Sequence, residues 1–406
     1  MVVLPGSYLK SLLPADGLES ALQKKFNTDA RFGEEWRVES HAGGYSLCSL
    51  GILYPCWEGK RSGEELEEYF FVKIVRRNER MLEDGNGGRV EITQEQFERR
   101  NRRKREQHNI EVLGLQLLNS KEEFMTPKIY ANNVLDEESD VGYIVLQAIH
   151  NARSLDIYDL MPDKTIIQAM KWLVRLQIFG ACDILTEEKK KSMFREKADW
   201  VELISIQRLQ RTIDRIFSGN MENGREDKVR RAKQTLLDLK KRDEDLVHNI
   251  DKDLGIEPVL CHGDMYSRNL MADENFDLKA VIDFQKLHYG NCAQDLTFLL
   301  FDLVKGKDKR SQIERFISIF YEMILEETNG HPLYSLDNLM ESHRRMAALA
   351  ALFDAKCYWM QSEEVVEKLE GEEMQQQALQ TISDQYDALL EDFIFYHNEN
   401  QKRFES

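Results

Sequence analysis

The 406-residue chain is poor in proline and lacks an excess of positive charge, closely paired cysteines and long apolar runs. Its 55 Lys and Arg face 72 Asp and Glu, a formal net charge of −17. Affinity for nucleic acid rests largely on Lys and Arg displacing counterions from phosphates, so this balance argues against a nucleic-acid partner and against an anionic membrane surface. Only 7 Pro are present; with 42% hydrophobic and 31% charged residues, this excludes disordered and collagen-like chains and suits a helix-rich globular protein with a sizeable core. The cysteines, Cys48, Cys56, Cys182, Cys261, Cys292 and Cys357, lack C-x-x-C spacing. They indicate neither a zinc site nor a disulfide scaffold and read as reduced thiols. No apolar run approaches the roughly 18 residues of a membrane span, and the opening MVVLP is too short for the apolar heart of a signal segment. The expectation is a cytoplasmic protein with no membrane partner.

What is present falls into two parts. WRVES, SLGILY and EYFFVKIV, within residues 36–75, are apolar or alternating runs separated by Gly43-Gly44 and by the polar EGKRSGEELE, and read as strands. Residues 94–120 read as a helix, and VGYIVLQAI from Val141 to Ile149 as a further β segment. Beyond it the pattern is helical to the end, apart from a β-rich island at 259–284. The expected fold class is α+β, with a small β-rich lobe over 1–148 and a large helical lobe over 149–406. The charged region 184–254 reads as a solvated helical cover, and the last third as helical scaffold.

The chemistry concentrates in VLCHGDMYSRNLMADENFDLKAVIDFQ. Two apolar strands each end in a carboxylate, Asp264 and Asp283, and Gly263 beside the first marks a tight backbone path. If 269–271 and 281–283 pair across the turn ADENFD, Asn269 lies opposite Asp283. An amide oxygen and a carboxylate are the hard donors that Mg²⁺ takes, with water and phosphates completing its shell. Asp264 remains free to accept a proton. Phosphoryl transfer asks for this set, together with a cation for the nucleotide phosphates. Lys73 is the candidate cation: it interrupts the apolar FFVKIV, where an inward ammonium is costly unless paired. Glu111, in NIEVLGLQLL on a helix whose apolar face docks on the sheet, is the acid expected to pair with it. Gly43, Gly44 and Ser46 would let backbone N–H groups approach the phosphates, and the adenine of ATP would rest against main chain near Gln147 and Ile149.

The sequence H-x-D-x4-N followed by I-D-F-Q resembles the kinase-like phosphotransferase superfamily of aminoglycoside and choline kinases, and within it an invertebrate branch of the CHK kinase-like, or ecdysteroid-kinase-like, family. The likeness runs in family order from 41 to 310 through AGGYS, FFVKIV, HNIEV, KIY, VLCHGDMYSRNLM, VIDFQKLHYGNCAQDL and FDLVKGKDKR. It implies a bilobal protein-kinase-like fold and ATP-dependent phosphorylation of a small-molecule hydroxyl, by family analogy a steroid-like or xenobiotic alcohol. His262, Asp264, Asn269 and Asp283 fall on the catalytic motifs, and Asp295 is similar to the aspartate that braces the catalytic loop. There are departures. Gly43-Gly44 is a sparse glycine loop, and Leu-Gln177 stands where relatives often have Leu-His. Gln285 replaces the glycine of the protein kinases' D-F-G and no A-P-E follows, which favours a small acceptor over a peptide.

Each residue also has a plainer reading. His262 is a satisfied buried histidine, and hence a brace, in either case. Asp264, Asn269 and Asp283 also suit turns, Lys73 with Glu111 an exposed ion pair, Asp295 a helix's first turn, and Arg268 a solvated surface. The basic run 99–105 suits the exposed start of the Glu111 helix better than a nucleic-acid or import signal. Kinase spacing decides for phosphotransfer. The expected set is Asp264, His262 and Asn269 for catalysis, Asn269 and Asp283 for Mg²⁺, and Gly43, Gly44, Ser46, Lys73, Glu111, Gln147 and Ile149 for ATP. One rival is a pseudokinase that binds without transferring, which the intact motif residues oppose. Another is a choline- or ethanolamine-type kinase, whose common H-N-D differs from the present H-G-D. The acceptor's identity and the oligomeric state lie beyond the sequence.

Overall fold

A computed structural model describes residues 4–41, 48–77, 81–83, 89–121, 123–136, 139–182, 186, 227–228, 230–236, 238, 249–306 and 308–404. The chain forms two compact units, one of residues 1–150 with 280–286, the other of 151–279 with 287–406. The segment bearing Asp283 therefore belongs to the first unit, although 129 residues of the second precede it in the chain.

The first unit is built on a five-stranded antiparallel sheet in the order β1-β2-β3-β7-β6, formed by β1 (Arg37–Ser40), β2 (Ser49–Tyr54), β3 (Phe70–Arg76), β6 (Ile129–Asn133) and β7 (Val141–Gln147). A separate hairpin pairs β4 (Met81–Glu83) with β5 (Arg89–Glu91). Successive residues of a strand face opposite sides. Phe70, Val72 and Ile74 of β3 turn to one face, where they share a core with Leu53, Val145 and the leucines Leu9, Leu18 and Leu22 of α1 (Gly6–Ser11) and α2 (Ala15–Phe26). Lys73 takes the other face, towards α3 (Gln94–Leu118).

That helix opens on a capping box between Thr93 and Gln96 and buries His108, Glu111, Val112, Leu115 and Leu118, an i, i+3, i+4 stripe. Its first half carries the basic run 99–105, of which Arg99, Arg100 and Arg102 are exposed while Lys104 is half-buried and donates to Arg76 O at 3.1 Å. Gly142 lets the helix sit close to β7: a Cβ there would fall 2.5 Å from His108 Nε2, which bonds the Asn133 carbonyl at 2.7 Å.

In the second unit α4 (Asp163–Ala181) packs on the ribbon of β9 (Val259–Cys261) and β12 (His288–Gly290). The approach is close at Gly180, where a Cβ would lie 2.3 Å from Leu260 Cβ. Gln177 ties this layer together: its Nε2 donates to Cys292 O at 2.9 Å, and its Oε1 accepts from the Tyr334 hydroxyl at 2.5 Å. Following β9 come a 3₁₀ turn at Ser267–Asn269 and β10 (Leu270–Ala272), which lies between β8 (Arg153–Ser154) and β11 (Leu278–Val281). Helices Gln294–Leu303, Lys309–Glu327, Leu336–Lys368 and Glu372–Phe404 complete the unit. The charged region 184–254, expected as a cover, falls largely outside the described residues, which place a short helix at Ile250–Leu254.

The β10–β11 turn departs from the expected register. Asp273 N donates to Asp277 O at 3.1 Å, so 273 faces 277, whereas pairing Asn269 with Asp283 would set 273 opposite 279. The cause is local. Asp273 Oδ1 accepts from the amides of Asn275 and Asp277, and Phe276 adopts a left-handed φ of 59°, which shortens the turn. No helix among the described residues is long and apolar enough to cross a membrane.

Candidate active site

Lys73 lies mid-strand on β3, between Leu50 of β2 and Ile144 of β7. Only 8% of it is exposed, so its ammonium needs anionic partners, and it has two. Nζ donates to Glu111 Oε1 at 2.7 Å and to Asp283 Oδ1 at 2.8 Å. Burial alone would lower the lysine's pKa, but the charges of Asp283 and Glu111 outweigh it and hold Lys73 well above its usual value. Asp283 reaches this position through an uncommon backbone, φ 70°, a left-handed conformation that L side chains seldom adopt. Its segment is held to the rest of the first unit by Val281 N, which donates to Met125 O at 2.8 Å. Its other oxygen, Oδ2, accepts from Gln285 Nε2 at 2.9 Å. Sequence reasoning noted Gln285 only as a replaced glycine. An amide two residues beyond a carboxylate was the signal that it orients the acid.

The second group of residues is the loop 262–269. Here His262 is fully buried, its ring edge-on to Trp172 at 6.0 Å, and its Nδ1 accepts from Asp264 N at 3.3 Å. Gly263 has φ 79°, which turns the chain sharply before Asp264. Behind the turn stands Asp295. Its carboxylate accepts from His262 N at 2.5 Å and from Gly263 N at 2.9 Å. Asp295 thus lies in the first turn of its helix, as the plainer reading has it, and bonds across to the loop as well, while Asn291 serves the helix start by accepting from Ala293 N at 2.9 Å. Burial pushes the Asp295 carboxyl up to about 7, against the pull of its two amide donors, and the nearby charge of Asp264 adds to the rise. At the far end of the loop the buried Asn269 donates from Nδ2 to Asp264 O at 2.8 Å, so its side chain fixes the main chain at Asp264. The Asp264 side chain is half-buried.

Lys73, Glu111 and Asp283 are thus brought together in the first unit, and His262, Asp264, Asn269 and Asp295 in the second. Gln147 pairs with Phe70 at the end of β7, and its main-chain N–H donates to Lys128 O at 2.8 Å. Ile149 is half-buried beyond the strand's end. Gly43, Gly44 and Ser46 lie outside the described residues. Each unit carries a donor of the hard type that Mg²⁺ takes: in the first the carboxylate of Asp283, whose two oxygens accept from Lys73 and Gln285, and in the second Oδ1 of Asn269, whose Nδ2 is spent on the loop. Among the described residues no group of three or more His, Cys, Asp or Glu is placed to hold a metal by itself, so water and phosphate oxygens would have to complete the shell.

Comparison with known proteins gives a family and several distant likenesses. A 210-residue stretch, 49% of this chain, is 24% identical to the Caenorhabditis elegans protein named "Uncharacterized oxidoreductase dhs-27" and covers 24% of that protein. The chain thus matches about a quarter of the length of that curated relative. Among solved structures, the choline kinase of Cryptosporidium parvum is similar at 12% identity, with 92% of this chain and 91% of that one covered and a TM-score of 0.47. The microcompartment-associated aminopropanol kinase gives 12%, 93%, 98% and 0.47 in the same order. A putative aminoglycoside phosphotransferase of Ralstonia eutropha gives 13%, 94%, 98% and 0.45. At such scores the family match and the residues themselves carry the weight. The profile of DUF1679, described as "Uncharacterized oxidoreductase dhs-27", matches residues 12–401, and the chain belongs to that family, a CHK or ecdysteroid kinase-like one as its motifs lead one to expect.

Proposed function

We propose that the protein is an ATP-dependent phosphotransferase acting on a hydroxyl of a small molecule. The observation that carries the reading is a buried lysine held at 2.7 and 2.8 Å by two carboxylates from distant parts of the sequence, Glu111 and Asp283. Two acids on one buried cation exceed what neutralising it requires, and the second acid, by turning to a divalent ion, would leave the lysine a cation for phosphate oxygens. Asp264 accepts the proton of the acceptor hydroxyl as its oxygen bonds the γ-phosphorus, while the bond from that phosphorus to the β,γ-bridging oxygen breaks and ADP leaves. Asn269 and Asp283 would hold Mg²⁺, which neutralises phosphate charge when bound. Positioning does the rest: Asp295 fixes the amides before Asp264, and Asn269 its carbonyl.

The test is ATP consumption in the presence of a metabolite extract, by the wild-type protein and by Asp264→Asn. Turnover nearly abolished in the variant, with the ATP-induced rise in melting temperature retained, supports the reading. Equal consumption by the two overturns it. The name of the dhs-27 relative makes oxidation of NADH or NADPH the control arm. Turnover there, with none of ATP, overturns the reading as well.

A further inference from the structure

The helix Gln294–Leu303 carries a second buried acid, Asp302, seven residues after Asp295 and hence two turns along the same face. It is 3% exposed, and its Oδ2 accepts from Ser267 N at 2.5 Å. Asp295 takes the two amides before Asp264, and Asp302 takes one between Asp264 and Asn269. One rigid face therefore grips the loop on both sides of the residue that receives the proton.

The end of the helix that carries Asp302 is itself fixed. The last carbonyls of a helix lack partners within it. Here Lys309 Nζ donates to Phe301 O at 2.7 Å, and Gln385 Nε2 donates to Phe301 O at 3.2 Å and Val304 O at 3.3 Å. The Tyr358 hydroxyl donates to Asp302 O at 3.0 Å. Lys309, Gln385 and Tyr358 are all buried and come from three different helices. Such a set fixes the main chain of residues 301–304, and with it the direction of the Asp302 carboxylate.

We infer that Asp302 is a positioning residue of the phosphotransfer site, acting through the Ser267 amide to set the loop that carries Asp264 and Asn269. This rests on the proposed phosphotransferase reading. Asparagine at 302 keeps an oxygen of the same reach for the Ser267 N–H, whereas leucine keeps the volume and removes the acceptor. Neither change touches the main-chain carbonyls that Lys309, Gln385 and Tyr358 hold.

The experiment measures kcat, the KM for ATP, and deuterium uptake of the peptide spanning 262–270 in the full-length protein with Asp302→Leu and Asp302→Asn. In Asp302→Leu, kcat should fall on the order of 10- to 100-fold with little change in KM, and the peptide should exchange faster while the rest of the uptake map stays as in wild type. Asp302→Asn should restore kcat to within a few-fold and the peptide's protection with it. Wild-type uptake at 262–270 in the leucine variant overturns the inference, as does faster uptake there with wild-type kcat. Uniformly faster uptake across the second unit in both variants also overturns it, since the role would then be stability alone. Should the wild-type protein transfer no phosphoryl group, the phosphotransferase reading fails separately, and local uptake alone decides whether Asp302 holds the loop.

Discussion

The Lys73 contacts permit a double-mutant cycle whose outcome follows from burial. Lys73→Met keeps the volume and removes the cation, leaving the Glu111 side chain, 4% exposed, without its counter-ion. Breaking a buried pair from one side costs about 3–5 kcal/mol, because an uncompensated charge stays behind. Glu111→Gln should cost less, about 1–3 kcal/mol, since Lys73 keeps Asp283 at 2.8 Å. The double variant should cost no more than Lys73→Met alone and about 1–2 kcal/mol less if the neutral amide packs well, a coupling of roughly 2–5 kcal/mol. Urea unfolding followed by tryptophan fluorescence reads all four corners. The pH dependence has a definite sign. Burial raises the Glu111 carboxyl above its unfolded value of about 4.3. The loss in Lys73→Met should therefore shrink as pH falls and Glu111 takes up a proton, and grow as pH rises. Single-variant losses that simply add, at every pH, would refute the reasoning that Glu111 is there to hold Lys73.

Further outcomes are expected. Asp295, at about 7 when folded and about 3.9 when unfolded, binds a proton more readily in the native state, so its contribution is complete below the unfolded value and is lost as pH rises through about 7. Between those values the wild-type protein should lose about 1.4 kcal/mol per pH unit from this group, and Asp295→Asn should show a flatter profile in urea titrations at a series of pH values. Gly263→Ala places a Cβ on a φ of 79°, a strain of about 1–2 kcal/mol. Its kcat should fall with little change in the KM for ATP, and an unchanged kcat would mean that the turn before Asp264 does not set its position.

The sequence disclosed those parts of the site that local pattern controls. A lysine inside FFVKIV demands an acid, and Glu111 on the apolar stripe of α3 supplied one at 2.7 Å. That Asp283, expected as a Mg²⁺ donor, also pairs with Lys73 was not legible. Asp283 is 210 residues from Lys73, and no periodicity reports a contact at that separation. The turn after β10 misled for a different reason: the left-handed residue is Phe276, not a glycine, so nothing in ADENFD announced a shortened register. Asp302 lies within the family-like FDLVKGKDKR, but its role was not legible, because its partner, the Ser267 amide, belongs to the backbone and has no signature. The two-part layout was visible from hydrophobic patterning, but the return of 280–286 to the first unit was not, since assignment along the chain follows order and packing does not.

The most direct measurement of the central claim is transfer of label. The protein is incubated with γ-labelled ATP, Mg²⁺ and a small-molecule extract, and the products are separated by mass. The account predicts label in an organic phosphate ester made by the wild-type protein and absent with Asp264→Asn. Label recovered solely as inorganic phosphate, or equal label in both proteins, would contradict it.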